Sequence, residues 1–185
     1  MKKIEIVGYH RANLGRSASN TLRSEALVPC VLYGGSEQVS FYSPMILFRE
    51  LVYTPDVYEV TLNIEGDIYT AVLQATQFHP VNDVMLHADF LEITPDKVIK
   101  IEVPIKLTGT SIGQTKGGKL NQSIRKLKVQ GAAKDIPDFI ELSISDLDLG
   151  KSIKVGAIIP GNYKILAPAS VPIAEIAVPR ALRGK

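Results

Sequence analysis

The sequence predicts a mainly-β protein: a small N-terminal β-barrel with two or so short helices, plus a C-terminal β-rich domain. Apolar and polar residues alternate with a period of two over much of the chain, as in strands with one buried face. Segments with helical spacing are few. A change of charge at Thr94-Pro95-Asp96, between two strand-like runs, predicts domains of residues 1–93 and 94–185.

The clearest local structure is a hairpin. Residues 58–64 alternate strictly, Gly66-Asp67 suits a tight turn, and residues 68–78 form a second strand-like run. Residues 99–107 also alternate, but Pro104 lacks the N–H that a sheet ladder needs. We therefore expect that strand to lie at an edge or to contain a bulge. Further strands are predicted around Leu127 and Val129 and at residues 28–33, 39–42, 87–93, 140–144, 152–155, 163–166 and 171–178.

Two helices are expected in the first half. Residues 17–25 form the first, with Ala18, Leu22 and Ala26 on one stripe. The second helix is predicted from Ser43, as its N-cap, through Pro44 to about Val52. In the second half, the Gly-rich residues 108–120 are predicted to be a mobile loop, and the basic residues 180–185 a frayed end.

The composition excludes several classes of protein. The chain has 185 residues, 45% hydrophobic and 22% charged, which is too apolar for a wholly disordered protein. One cysteine, Cys30, rules out an internal disulfide, and with only three histidines no metal site is expected. Neither a signal peptide nor a membrane span is evident, so we expect a cytoplasmic protein with Cys30 as a small core residue.

The net charge of +2 conceals an uneven distribution. Residues 1–24 carry +4, residues 25–93 carry −9 and residues 94–185 carry +7. A basic cluster beside an acidic body indicates an oriented anionic partner, although an unevenly charged solvated surface would look the same.

An enzymatic interpretation receives little support. Ser19, His87 and Asp89 are the residue types of a hydrolase triad, but the chain has no G-x-S-x-G elbow. His87 and Asp89 lie two apart on a predicted strand, so both face the same side. Residues 115–119 are basic and glycine-rich but lack the spacing of a nucleotide-binding P-loop. No catalytic residue and no cofactor is therefore predicted.

The segment of residues 11–23 is more informative. It carries Arg11, Arg16 and Arg23 through a loop and into a short helix, with Ser19 and Asn20 between them. The guanidinium group is a planar fork of donors that matches phosphate and base edges. A nucleic-acid contact is therefore plausible here, although many surface helices share this composition.

Several motifs together resemble one known family. In the first half they are Gly15-Arg16-Ser17-Ala18-Ser19 followed by Leu22-Arg23, then residues 28–35, 77–81 and 86–90. In the second half they are residues 103–105, 117–120, 135–141 and 149–153. In this order they resemble the bacterial large-subunit ribosomal protein that binds 5S ribosomal RNA, the general-stress-protein Ctc family, in its long two-domain form.

The resemblance implies a non-enzymatic RNA-binding protein. It implies that an N-terminal barrel docks on an irregular internal loop of 5S ribosomal RNA, and that the second domain meets other ribosomal RNA or proteins. No membrane or small-molecule substrate is expected, and the free protein should be monomeric. Matched by position, the contact residues are Arg11, Arg23, Tyr33, His87 and Asp89, with Arg16, Ser19, Gln77 and His79 as neighbours.

Three alternatives remain open on the sequence alone. A stress-associated relative could act away from the ribosome, particularly because Asn20, Thr21 and Phe78 stand where similar proteins often carry basic residues. A hydrolase would need Ser19, His87 and Asp89 to converge in a pocket. An anticodon-binding module is disfavoured by the absence of a catalytic domain.

Overall fold

The computed structural model describes residues 1–94 and 97–179. The chain divides into two units, Met1–Lys97 and Val98–Lys185. Pro95 and Asp96 of the predicted boundary, and the basic end at residues 180–185, lie outside the described residues.

Six strands of the first unit close into a barrel in the order β1-β3-β2-β6-β5-β4. Their bounds are Lys2–His10 (β1), Leu27–Tyr33 (β2), Val39–Pro44 (β3), Tyr58–Ile64 (β4), Asp67–Phe78 (β5) and Met85–Glu92 (β6). The predicted hairpin is present as β4 and β5, with Glu65 and Gly66 both at positive φ in the turn. Parallel pairing of β1 with β4 closes the barrel, so the alternation of the first ten residues forms a strand that the sequence analysis did not assign.

Aromatic rings fill the barrel interior. Phe90 lies between Phe41 and Phe48, with ring centroids 5.9 and 6.2 Å away, and all three are almost completely buried. Gly8 faces the same core, where a Cβ atom would come within 2.6 Å of the Phe41 ring. A larger residue at Gly8 would therefore displace the ring.

Helix α1 (Arg16–Ser24) packs on strand β2, with Ala18 and Leu22 half-buried. Ala26, predicted on the same stripe, is exposed, because the helix ends at Ser24 and Ala26 has a positive φ of 57°. The second predicted helix is shorter and starts later than expected. A 3-10 turn at Met45–Phe48 leads into α2 (Arg49–Tyr53). Ser43 is not an N-cap, because it belongs to β3, is buried, and donates its hydroxyl to the Val7 carbonyl at 2.7 Å.

The second unit contains two sheets, ordered β10-β7-β9-β12 and β11-β13-β8. The strands span Val98–Thr108 (β7), Lys119–Gln122 (β8), Lys126–Ala132 (β9), Ile140–Ser143 (β10), Ser152–Lys154 (β11), Lys164–Ile165 (β12) and Pro172–Ala177 (β13). The mainly-β class, with a barrel and a second β-rich unit, is confirmed.

Two expectations about the second unit are wrong. Strand β7 is interior and keeps its register at Pro104, which is opposite Lys126 of β9. The backbone N–H of Ile105 donates to the carbonyl of Arg125, on the side of β7 that faces β9. The ring nitrogen of Pro104 therefore points to the opposite side, where pairing with β10 starts only at Ile105. No ladder bond is therefore lost there.

The predicted mobile loop at residues 108–120 is ordered secondary structure. It contains a helical turn, α3 (Ile112–Thr115), with a capping box between Ser111 and Gln114, and leads into β8. A Cβ atom on Gly118 would come within 2.3 Å of Ile176. The glycine therefore allows close packing of this segment against β13.

None of the helices formed by residues 1–94 and 97–179 has the length and apolar character needed to cross a membrane.

Candidate nucleic-acid interface

The strand register places a row of predicted site residues on the outside of the barrel. His87 of β6 is opposite Gln77 of β5, and Asp89 of β6 is opposite Val31 of β2. Ala88 and Phe90, which alternate with them, point into the core and are fully buried. His87 and Asp89 therefore share the outer face of the central part of the barrel wall.

His87 and Asp89 form a pair on that face. Nδ1 of His87 lies 3.0 Å from Oδ1 of Asp89, and their side chains are 21% and 31% exposed. A proton on Nδ1 that is donated to the carboxylate leaves Nε2 to interact with a partner molecule. The pair thus presents an oriented imidazole and a partly solvated acid.

Arg11 is held above the neighbouring strands by helix α1. Its Nη2 donates to Ser19 Oγ at 3.0 Å, while the Ser19 hydroxyl donates to the Gly15 carbonyl at 2.7 Å. Its backbone N–H donates to Ser40 of β3 at 3.1 Å. Nε of Arg11 is buried and has no hydrogen-bond acceptor within residues 1–94 and 97–179. The Nη2 bond to Ser19 therefore holds the guanidinium group in place, and the buried Nε is not accessible to a partner molecule.

Arg23 joins the same helix to strand β6. Its Nε donates to the Leu86 carbonyl at 3.1 Å, and its Nη1 donates to Asn20 Oδ1 at 3.3 Å. This contact anchors the end of α1 beside the residue that precedes His87. Arg23 therefore lies beside the strand that carries His87 and Asp89, and both Arg11 and Arg23 are half-buried.

Tyr33 lies at the end of β2, and the charge of Asp89 acts on its hydroxyl. Burial, followed by the negative charge of Asp89, raises the pKa of the Tyr33 hydroxyl. The hydroxyl therefore remains protonated, and able to donate, to higher pH than usual. Burial and then Asp89 also raise the pKa of the Cys30 thiol. Cys30 is fully buried, which confirms it as a core residue.

The remaining predicted residues differ in their surroundings. Arg16 is exposed at the start of α1, and Gln77 is exposed on β5 opposite His87. His79 shapes the turn after β5: its backbone N–H donates to Val84 at 2.8 Å, and its Nδ1 accepts from Val81 at 3.3 Å. Seven of the nine predicted residues lie on α1 or on strands β2, β5 and β6. The other two are Arg11, which follows β1, and His79, which lies in the turn after β5.

Comparison with known proteins identifies the family. A model of the ribosomal L25p family matches residues 6–90, and a model of the C-terminal domain of ribosomal protein TL5 matches residues 98–180. A large ribosomal subunit protein bL25 from Amoebophilus asiaticus is 54% identical over 99% of this chain and 93% of its own. Its counterparts from Cytophaga hutchinsonii and Porphyromonas gingivalis are 49% and 39% identical, over 95% and 97% of their lengths.

The chain belongs to the ribosomal L25p family. The resemblance inferred from the sequence motifs is confirmed.

The geometry of this L25p-family chain does not assemble the hydrolase alternative. The Ser19 hydroxyl is engaged with Gly15 and Arg11 rather than with His87, which is bonded to Asp89. A cavity of about 450 Å³ opens elsewhere on the first unit, lined by Phe48, Phe78, Met85 and other largely apolar side chains.

Sequence reasoning missed one feature of this surface in the L25p-family chain. Tyr9 and Tyr42 form a stacked pair on β1 and β3, next to Arg11. Because Tyr9 and Arg11 are two residues apart, the alternation in residues 1–11 already indicated that their side chains face the same side. Without the barrel register, however, nothing indicated that Tyr42 would be opposite Tyr9.

Proposed function

We propose that this chain is a structural component of the large ribosomal subunit and binds 5S ribosomal RNA through a domain formed by residues 1–93. The observation that supports this most strongly is that two hydrogen-bonded arginines, Arg11 and Arg23, are anchored by helix α1 on the barrel that carries the His87–Asp89 pair. The similar proteins from three bacteria are named large ribosomal subunit proteins.

The chemistry of this face suits an irregular RNA helix. A-form RNA hides its base edges in a deep major groove and exposes 2′-hydroxyls and phosphates, which are read mainly by shape. Arg11 and Arg23 would neutralise phosphates and impose a dependence on salt. His87 and Tyr33 would donate to hydroxyl or phosphate oxygens, and Asp89 would accept from a base amino group.

The acid has a specific role in this proposal. A carboxylate that faces RNA opposes binding unless a donor meets it, so Asp89 would favour one orientation and disfavour the others. Residues 25–93 as a whole carry a net charge of −9. The RNA would therefore be attracted to the helix α1 side and repelled elsewhere on the same unit.

A second RNA contact is proposed for residues 94–185, on the outer face of β7, β9 and β12. Gln130 of β9 is paired with Lys100 of β7 on one side and with Lys164 of β12 on the other. Lys128 of β9 is paired with Glu102 of β7. Lys126 lies on the same face, and Nζ of Lys128 is 3.6 Å from the Glu102 carboxylate. Lys116 is less available, because it binds Asp148 at 2.8 Å. Lys119 and Arg125 are exposed.

A binding titration tests the 5S RNA proposal directly. The full chain is titrated with purified 5S ribosomal RNA and with a plain RNA duplex of equal length, each at several salt concentrations. We expect tighter binding to 5S RNA at every salt concentration. Equal affinity for the two RNAs, or no binding to either, contradicts the proposal.

The alternative, a stress-associated relative that acts away from the ribosome, predicts a different distribution in the cell. As a ribosomal component in the cytoplasm, the protein should sediment with the large subunit in a gradient of cell extract. Recovery only in the slow, unassembled fractions would favour the alternative.

A further inference from the structure

Two tyrosines on the barrel surface form an exposed aromatic pair. The rings of Tyr9 and Tyr42 are 5.6 Å apart between centroids, with their planes inclined by 29°. Tyr9 is 45% exposed, so a large part of this aromatic side chain is accessible to solvent. The two residues are direct cross-strand partners on β1 and β3, so the pair is held by the sheet itself.

The pair adjoins the proposed RNA surface. Arg11 follows Tyr9 by two residues, about 7 Å along an extended chain, and its backbone N–H bonds to Ser40, two residues before Tyr42. Tyr42 is also opposite Pro29, which is buried on β2, the strand that α1 packs against. The aromatic pair therefore adjoins Arg11 directly, and helix α1 separates it from His87.

One acidic side chain near the pair disfavours a phosphate on the Tyr9 ring itself. Glu65 is close to β1 at this point, because its carboxylate accepts the His10 backbone N–H at 3.0 Å. A carboxylate there would repel phosphate. A neutral base could stack on the exposed Tyr9 ring without meeting that repulsion, since stacking uses the π-face.

Resting on the proposed function, we propose that the Tyr9–Tyr42 pair is a stacking platform for an unpaired base of the bound 5S ribosomal RNA. Unpaired bases in RNA loops are commonly bound on aromatic side chains. Tyr9 supplies the stacking surface, and Tyr42 supports it from below. The platform adds affinity that does not depend on phosphate contacts.

Substitution of Tyr9 tests the platform by its salt dependence. Tyr9→Leu should weaken binding to 5S RNA by about fivefold or more, while the slope of affinity against salt stays unchanged. Tyr9→Phe, which keeps the ring, should bind like the unaltered protein. Tyr53→Leu is the matched control, because Tyr53 is 72% exposed at the end of α2 and belongs to neither β1 nor β3.

A fluorescence measurement gives a second, independent readout. The chain contains no tryptophan, so Tyr9→Trp introduces a single indole at the platform. Its emission should be quenched on addition of 5S RNA, and much less by a plain duplex. Quenching would support stacking even if Tyr9→Leu folded poorly.

The outcomes separate the platform from the proposed function. If the unaltered chain binds 5S RNA and Tyr9→Leu binds equally well, the platform is wrong and the 5S proposal stands. The same conclusion follows if the indole is not quenched in the bound complex. If the unaltered chain shows no preference for 5S RNA, both proposals are overturned.

Discussion

Two basic surfaces of this protein are built in different ways. On the first unit, Arg11 and Arg23 are half-buried and hydrogen-bonded to Ser19 and to the Leu86 carbonyl. On the second unit, Lys100, Lys126 and Lys164 are exposed and make no ion pair within the described residues.

The difference shows how a similar charge can serve different kinds of binding. A fixed guanidinium group loses little conformational entropy on binding and presents its donors in one geometry, which favours recognition of a particular shape. Mobile lysines act as point charges that attract any polyanion, with a strong dependence on salt. We therefore expect selectivity from the barrel surface and nonspecific attraction from the lysine face.

The largest expected effect comes from removing the core beneath the barrel surface. Phe90→Ala deletes a fully buried ring on the strand that carries His87 and Asp89, and should lower the free energy of unfolding by about 3–5 kcal/mol. Chemical denaturation followed by circular dichroism measures this loss. Ile176→Ala is the matched change in the second unit, with an expected loss of about 2–5 kcal/mol.

The two core variants also separate the surfaces. At temperatures where the variants begin to unfold, Phe90→Ala should abolish selective binding of 5S RNA, whereas Ile176→Ala should leave it intact. Unchanged stability of Phe90→Ala, or loss of 5S binding only in Ile176→Ala, would reverse the assignment of the selective surface to the barrel.

Removing an anchored arginine should have the next largest effect. Arg23→Ala or Arg11→Ala removes charge-assisted hydrogen bonds worth about 1.5–3 kcal/mol each, so the affinity for 5S RNA should fall roughly 10- to 100-fold. The slope of affinity against salt should decrease by about one. Arg49→Ala on α2 is the control, because Arg49 is exposed but lies outside the candidate interface. An equal loss in the control would show that the arginines act only through net charge.

Charge reversal on the second unit should change salt dependence more than selectivity. The triple variant Lys100→Glu, Lys126→Glu and Lys164→Glu should bind long large-subunit ribosomal RNA severalfold more weakly, with a slope reduced by about two or more. Its preference for 5S RNA over a plain duplex should be retained. Lys151→Glu with Lys154→Glu changes two exposed lysines around β11 and serves as the control. Identical salt slopes for the triple variant and the unaltered chain would contradict the proposed lysine surface.

The smallest expected effect is electrostatic. Asp89→Asn should lower the pKa of Tyr33 but leave it above its ordinary value, because burial is the larger cause of the increase. Since folding raises this pKa, ionisation of Tyr33 is less favourable in the folded protein, so the stability is fully present below the unfolded pKa and is lost as the pH rises from there through the folded value. Titration of Tyr33 by NMR measures the shift. No change in its pKa would place Asp89 too far from Tyr33 to act on it.

Local patterns were sufficient where the relevant interactions are local. The β4–β5 hairpin follows from alternation and the turn at Gly66, and the common face of His87 and Asp89 follows from their spacing. Local patterns failed where a residue distant in the sequence determines the local structure. Ser43 resembles an N-cap, yet its hydroxyl bonds to Val7, which is 36 residues away in the sequence.

The candidate site shows the same division. The residue types and the order of motifs identified the family and nominated the arginines of residues 11–23. They did not indicate that Arg23 would contact Leu86, or that Tyr9 would stack on Tyr42, because both contacts depend on which strands are neighbours.

The sequence by itself determined the β-rich class, the faces of the main strands and the family. Only the tertiary structure decided that β1 pairs in parallel with β4, closes the barrel, and brings Arg11 to the same wall as His87. The physical reason is that strands pair through backbone N–H and C=O groups, which nearly every residue possesses. The choice of neighbour is therefore made by the packing of buried side chains such as Phe41, Phe48 and Phe90 across the whole barrel.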